Sequence, residues 1–161
     1  MRYIGTKIVI ALSMTRAAYN EYRGWSLPSN EDGNDDGYLV EYTDGGKSNV
    51  AGHAGYVSWS PKEQFDAAYR ETNGMPFGLA AEALKKGAKV ARAGWNGKGM
   101  FVYLVPAASY PAATQVAKEH FGIDGMVPYN AYMAIKNVDG TVSTWAPSGN
   151  DALADDWLIV Q

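Results

Sequence analysis

The sequence predicts an α+β protein. It predicts a small α+β domain over residues 1–74, then a small antiparallel sheet with packed helices over residues 75–161. Short apolar segments separated by turns rich in Gly, Asn and Asp are typical of antiparallel strands. Segments with apolar residues at i, i+3 and i+4 indicate a few short helices. With 47% apolar and 19% charged residues, a chain of 161 residues can bury a core.

The boundary between the two segments is predicted near residue 74. The polar stretch ETNG at 71–74 ends in glycine and precedes MPFG at 75–78. The charge also changes there, because residues 1–74 carry a net charge of −3 and residues 75–161 carry none.

The first segment begins with a predicted strand over residues 7–13. Thr15 is expected to cap a helix that runs through Tyr22 and is stopped by Gly24. An alternating pattern over residues 37–42 then predicts a second strand.

Residues 55–59 indicate a third strand, followed by a predicted helix. Ser60 and Glu63 have the spacing of a capping box, with Pro61 at the first helical position. The apolar face of this helix carries Phe65, Ala68 and Tyr69.

The second segment opens with a helix predicted over residues 77–86 and ended by Gly87. Strands are predicted over residues 89–92 and 100–105, joined by the glycine-rich turn GWNGKG at 94–99.

A helix over residues 111–120, ended by Gly122, is expected next. Residues 131–137 and 141–145 indicate a hairpin, and residues 158–160 a closing strand. Short strands joined by tight turns predict an antiparallel sheet with helices on one side.

The composition excludes several kinds of site. The chain has no cysteine, which excludes disulfides, thiolate ligands and a cysteine nucleophile. His53 and His120 are too few for a multi-histidine metal centre, so no metal or cofactor is expected. Fourteen basic residues against 17 acidic ones make duplex nucleic acid an improbable partner. The apolar run at 8–12 is too short for a membrane span, which predicts a soluble cytosolic protein.

The glycine-rich turn is the first candidate binding segment. Its glycines let backbone N–H groups approach a ligand, Trp95 offers a stacking face, and Asn96 and Lys98 offer contacts to a base or ribose and to a phosphate. The alternative is a hairpin turn with a core tryptophan.

The segment from Trp145 to Asp151 is the second candidate. Ser148 or Asn150 is expected to cap a short helix with Asp151 in its first turn, which alone accounts for these polar residues. In the functional alternative, Ser148 and the helix N-terminus receive an anion while Trp145 stacks on a base. Trp157 is predicted to lie in the core.

Catalytic patterns are weak. Asp155 and Asp156 are adjacent, so on a strand they would face opposite sides and could not form a dyad. No Ser/His/Asp arrangement or metal-ligand spacing is present.

The second half, about residues 75–160, resembles the second family of phage anti-Thoeris proteins, which are sponges for immune signals of the cyclic ADP-ribose type. The matching residues extend through this whole half and occur in the same order as in the family. The matching segments are FG at 77–78, ALKKG at 83–87, VARAGWNGKGM at 90–100, YLVP at 103–106, DGT at 139–141, Trp145, PS at 147–148, Asp151 and LADDW at 153–157.

The resemblance implies a non-catalytic protein that sequesters a cyclic nucleotide signal in the host cytoplasm and assembles as a dimer or tetramer. Together with the candidate segments, it gives ten expected ligand-binding residues. They are Arg92, Trp95, Asn96, Lys98, Phe101, Tyr103, Tyr132, Trp145, Ser148 and Asp151.

The chain departs from this family in two places. Tyr132 and Ala134 replace a His and an Asp found in relatives, and the insert at 107–128 differs from shorter members. The choice of signal therefore stays open, cyclic oligonucleotides included. Residues 1–74 resemble short phage proteins that share the motifs YIGTK at 3–7, GYLVEY at 37–42 and SWSPK at 58–62, and this resemblance implies no activity. The alternative functions are a protein-binding accessory module of a phage and, less favoured, a nucleotide-modifying enzyme.

Overall fold

A computed structural model describes residues 1–3 and 5–161, so Ile4 of the YIGTK motif lies outside the described residues. The chain falls into two compact units, Met1–Arg70 and Glu71–Gln161. The described residues form five helices and ten strands, and the paired strands run antiparallel. The α+β prediction is therefore confirmed.

The first unit is a three-stranded sheet with two helices. Its elements are β1 (Val9–Ser13), α1 (Arg16–Arg23), β2 (Gly37–Tyr42), β3 (Tyr56–Pro61) and α2 (Lys62–Ala68), and β2 is the central strand. Thr15 caps α1 by accepting a hydrogen bond from the Ala18 N–H, and Gly24 ends the helix with a left-handed φ of 67°. Tyr19, Leu39 and Val57 form the buried core.

The capping box predicted at Ser60 is wrong. Pro61 occupies the N-cap position of α2, and no side chain caps this helix. The hydroxyl of Ser60 donates to the Pro61 carbonyl, because β3 continues through Pro61 and keeps Ser60 in the sheet.

The second unit holds a five-stranded sheet, a two-stranded ribbon and three helices. Its elements are α3 (Phe77–Lys85), β4 (Lys89–Arg92), β5 (Phe101–Val105), β6 (Ala108–Pro111), α4 (Gln115–Phe121), β7 (Met126–Tyr129), β8 (Tyr132–Lys136), β9 (Val142–Trp145), α5 (Gly149–Ala152) and β10 (Trp157–Val160). The strand order is β10-β4-β5-β8-β9 in the sheet, and β6 pairs with β7 in the ribbon.

The insert between β5 and β8 differs from the sequence prediction. The helix expected from Pro111 begins at Gln115, capped by Thr114, and Pro111 is the last residue of β6. Strands β6 and β7 were not predicted, since each contains a proline. A two-stranded ribbon tolerates proline because each strand has one edge without ladder hydrogen bonds.

Side chains alternate between the two faces of the five-stranded sheet. One face packs against α3 through a core that includes Leu84, Val90, Val102 and Trp157. Trp157 is fully buried, as predicted, and its indole N–H donates to the Asp151 carbonyl at 2.9 Å.

Replacing Trp157 with alanine should therefore lower the free energy of unfolding of the second unit by about 3–5 kcal/mol, as large core truncations do. Urea unfolding measures this. The control is Leu153→Ala, because Leu153 is 85% exposed and its loss should change stability by less than about 0.5 kcal/mol. Similar losses in both variants would contradict the central position of Trp157 in the core.

Candidate functional site

Arg92, at the end of β4, lies between two carboxylates. Its Nε donates to Asp156 Oδ1 at 2.7 Å, and its Nη1 donates to Asp151 Oδ1 at 3.0 Å. The Arg92 side chain is 20% exposed and that of Asp151 is 14% exposed, so water screens this pair less than a surface ion pair. The network ties β4 to α5 and to the segment that leads into β10.

Asp151 also belongs to a capping box with Ser148. The Ser148 hydroxyl and backbone N–H donate to Asp151 Oδ2 at 2.7 and 3.1 Å, and the Asp151 N–H donates to Ser148 Oγ at 3.1 Å. The helix cap predicted at Ser148 is confirmed. The Asp151 carboxylate therefore occupies the N-terminus of α5, where the functional alternative from the sequence expected an anionic ligand.

The pKa values follow from these contacts. Burial raises the pKa of Asp151, but hydrogen bonds from Ser148, Arg92 and Trp95 outweigh burial and hold that pKa at about 2. The hydrogen bond from Arg92 lowers the pKa of Asp156. Both groups are ionised at neutral pH.

Trp95 and Trp145 lie beside this network, each half-buried. The Trp95 indole N–H donates to Asp151 Oδ1 at 3.3 Å. The Trp95 and Trp145 rings meet edge to face, with centroids 6.2 Å apart, and both pack against the core that contains Trp157. Each ring therefore has one part that supports the core and another part that reaches solvent.

The glycine-rich turn is held against Asp156. The Gly94 N–H donates to Asp156 Oδ2 at 2.8 Å, and a Cβ at Gly94 would lie only 2.8 Å from that oxygen. Asn96 and Lys98, farther along the turn, are exposed, and within the described part of the chain their side chains have no hydrogen-bond partner. We call Arg92, Trp95, Asn96, Lys98, Trp145, Ser148 and Asp151 the tryptophan site.

The remaining expected residues lie elsewhere. Phe101 and Tyr103 alternate with the buried Val102 on β5, so they face away from α3. Tyr132 pairs with Val105 in the ladder and lies on the same face. We call this surface the open face; it comprises Phe101, Tyr103 and Tyr132 with the neighbouring Lys89 and Lys136. Arg92 and Trp145 thus pair with the core residues Trp157 and Met133 on the face toward α3, whereas Phe101, Tyr103 and Tyr132 lie on the opposite face. The Lys136 ammonium donates to the Gly99 carbonyl at 3.2 Å, so the open face reaches the end of the glycine-rich turn.

A shallow depression of about 390 Å³ adjoins the open face. Lys89, Phe101, Tyr103 and Lys136 contribute to its lining. The Lys89 ammonium lies 5.4 Å from the centre of the Phe101 ring, within the range of a cation–π contact. This surface combines aromatic rings with positive charge.

Comparison with known proteins places these residues in a family. The model of the Tad2-like family, described as "Thoeris anti-defense 2-like domain", matches residues 75–160. The chain belongs to this family. A relative named "Thoeris anti-defense 2", from Bacillus phage SP01, is 39% identical over 90 residues, which are 53% of this chain and 94% of the relative. The resemblance seen in the sequence is confirmed, and it implies an anti-Thoeris function.

The Tad2-like domain contains site residues that the sequence reasoning missed. Asp156 positions Arg92 and the glycine-rich turn, but it was considered only as half of a dyad with Asp155. Lys136 pairs with Phe101 in the ladder and Lys89 lies beside it. The pairing of Phe101 with Lys136 depends on the register of β5 and β8, which local alternation does not give.

The described residues contain neither a cluster of metal-ligating side chains nor a membrane-spanning helix. Among the described residues, no group of three or more His, Asp or Glu side chains is arranged to hold a metal ion. Within the same residues, no helix has the length and apolarity needed to cross a bilayer.

The pKa of Asp151 predicts an acid-dependent stability of the Tad2-like domain. Folding lowers this pKa from 3.8 to about 2, so the contribution to stability, roughly 2 kcal/mol, is complete above pH 4 and disappears as the pH falls toward 2. At pH 7 the variant Asp151→Asn should lack this contribution and have a lower free energy of unfolding than the wild type. The difference in free energy of unfolding should disappear between pH 4 and 2. Urea unfolding across this range is the measurement.

The matched control is Asp155→Asn, because Asp155 is exposed and its side chain has no hydrogen-bond partner among the described residues. It should follow the wild-type curve. A gap between wild type and Asp151→Asn that stays constant from pH 7 to 2 would contradict the ionised, hydrogen-bonded carboxylate.

Proposed function

We propose that the Tad2-like domain binds a cyclic nucleotide signal of the cyclic ADP-ribose type at the tryptophan site and keeps it intact. The protein would thereby act in the infected host cell as a phage sponge against Thoeris defence. The observation that carries this proposal is the pair of half-exposed rings, Trp95 and Trp145, next to the unpartnered Asn96 and Lys98 inside the segment that matches the family.

The groups at this site suit a nucleotide. An adenine base stacked on a tryptophan gains about 1–3 kcal/mol. Lys98 supplies a mobile positive charge for a phosphate, and the Asn96 amide both donates and accepts hydrogen bonds to a base or ribose. Asp151 holds the Trp95 ring by its N–H, which limits the side-chain entropy lost on binding.

The same site is poorly suited to catalysis, which favours a sponge over an enzyme. Asp151 has a pKa of about 2, far from the neutral value that suits a general acid or base. The pKa of Asp156 is lowered as well, and Arg92 is bonded to both carboxylates. Sequestration needs only tight binding, and the arrangement supports that.

The open face provides the alternative ligand surface. Its two aromatic rings and two lysines would also attract an anionic, aromatic ligand, and Tyr132 stands where relatives carry a histidine. We assign the signal to the tryptophan site because it combines two partly exposed tryptophans with the exposed amide of Asn96 and ammonium of Lys98.

A chromatographic release experiment separates the candidate functions. Purified protein is incubated with cyclic ADP-ribose or its isomers, the free nucleotide is measured, and the protein is then heated to release bound material. Depletion followed by recovery of intact ligand supports the sponge. An altered product would indicate an enzyme, and no depletion of any of these signals would favour a protein-binding accessory module of the phage.

The variant Lys98→Ala should weaken binding of the cyclic nucleotide about tenfold or more, because it removes a phosphate contact without touching the core. Asn96→Ala should weaken it by a smaller factor. Calorimetric titration measures both, with Lys47→Ala in the first unit as the matched control, since Lys47 is also exposed. Unchanged affinity in Lys98→Ala and Asn96→Ala would contradict the assignment of the signal to this site.

The insert supports a further part of the proposal, a homo-oligomer. Several large apolar side chains between β5 and β8 are at least 42% exposed: Tyr110, Val116, Phe121, Ile123, Met126 and Tyr129. Many exposed apolar side chains within one short segment are typical of an interface. A domain of this size also encloses a nucleotide more easily between subunits than within its own core.

Light scattering at micromolar concentration should therefore give a dimer or tetramer. Ile123→Glu should shift the mass toward the monomer, whereas Leu153→Glu, at an equally exposed position outside the insert, should not. A monomeric wild-type protein with ligand present would overturn this part of the proposal.

A further inference from the structure

The first unit, which lies outside the family match, contains a chain of three hydrogen-bonded side chains. Glu41 Oε2 lies 2.8 Å from His53 Nδ1, and His53 Nε2 lies 2.7 Å from the hydroxyl of Tyr22. These groups come from β2, from the loop between β2 and β3, and from α1. Their order, carboxylate to imidazole to hydroxyl, is that of the relay which activates a nucleophile in hydrolases.

The carboxylate end of this chain is fixed. Glu41 is only 8% exposed, and its Oε1 accepts hydrogen bonds from the backbone N–H groups of Ala54 and Gly55 at 2.7 and 3.0 Å. The hydrogen bond from His53 and those from the two N–H groups lower the pKa of Glu41, so the carboxylate is ionised at neutral pH.

The direction of each hydrogen bond follows from this charge. An ionised carboxylate only accepts, so His53 must donate its Nδ1–H to Glu41. In the neutral imidazole, Nε2 then carries the lone pair and accepts the hydroxyl proton of Tyr22. The phenol oxygen of Tyr22 therefore faces a base on one side, and the Tyr22 side chain is 44% exposed to solvent.

A purely structural account assigns His53 the task of holding the loop against α1. Holding the loop would explain the hydrogen bonds of His53 to Glu41 and to Tyr22. It would not require Glu41 to be buried or the Tyr22 side chain to reach solvent.

We propose that Tyr22 is an activated nucleophile, with His53 as its base and Glu41 as the residue that positions His53, and that it accepts acyl groups from activated acyl donors. In this step the Tyr22 oxygen bonds to the acyl carbon while the phenolic proton moves to His53 Nε2. The bond from the acyl carbon to its leaving group breaks, and the leaving group takes the proton back from His53. This site is independent of the nucleotide site proposed above.

Acylation by N-acetylimidazole, followed by peptide mass spectrometry, tests the proposal in the full chain. Tyr22 should be acetylated at least tenfold faster than Tyr3 and Tyr56, which are 89% and 48% exposed and serve as internal references. Equal rates at these tyrosines would overturn it.

Two variants separate activation from loop anchoring. His53→Gln should slow acetylation of Tyr22 to the rate of the reference tyrosines, and Glu41→Gln should slow it too because the tautomer is no longer fixed. His120→Gln, which alters the other histidine, should leave it unchanged. If His53 only holds the loop, its loss exposes Tyr22 further and acetylation becomes faster, which is the opposite sign and would refute the proposal.

Discussion

The second unit depends on one carboxylate. Asp151 accepts hydrogen bonds from Arg92 on β4, from the Trp95 indole on the glycine-rich turn and from Ser148 at the start of α5. Its backbone carbonyl accepts from the buried Trp157. A half-buried charge of this kind costs free energy unless it is fully bonded, so the four partners are held in one arrangement. Asp156 extends the same network to the backbone of the turn.

This arrangement connects packing to the proposed function. The indole N–H groups of Trp95 and Trp157 point inward to the carboxylate and the carbonyl of Asp151. Parts of the Trp95 and Trp145 side chains remain exposed at the surface. Because the pairing of Asp151 and Arg92 is internal, neither charge is free for a ligand, and the exposed side chains of the turn carry the proposed polar contacts. The first unit also has a buried carboxylate, Glu41. Its hydrogen bond to His53, and that of His53 to Tyr22, lead to an exposed phenol.

The sequence was sufficient to predict the features that depend on local chemistry. Thr15, Gly24 and Ser148 cap helices as expected. Period-two alternation located β2, and the turn at 138–140 located the hairpin of β8 and β9. It failed where the partner is distant in the chain. Pro111 appeared to begin a helix because its pairing with Met126 across the ribbon is not visible locally. For the same reason Trp145 and Phe101 could not be assigned to opposite faces of the sheet, and Asp156 could not be matched with Arg92, 64 residues away.

We propose that the nucleotide binds at the tryptophan site and not at the open face. Crystals of the full chain with a cyclic ADP-ribose-type signal distinguish the two sites, because Trp145 and Phe101 lie on opposite faces of the sheet. The account predicts ligand density with a base against Trp95 or Trp145 and a phosphate near Lys98. Density between Phe101 and Lys136, with the tryptophan site free of ligand, would contradict it.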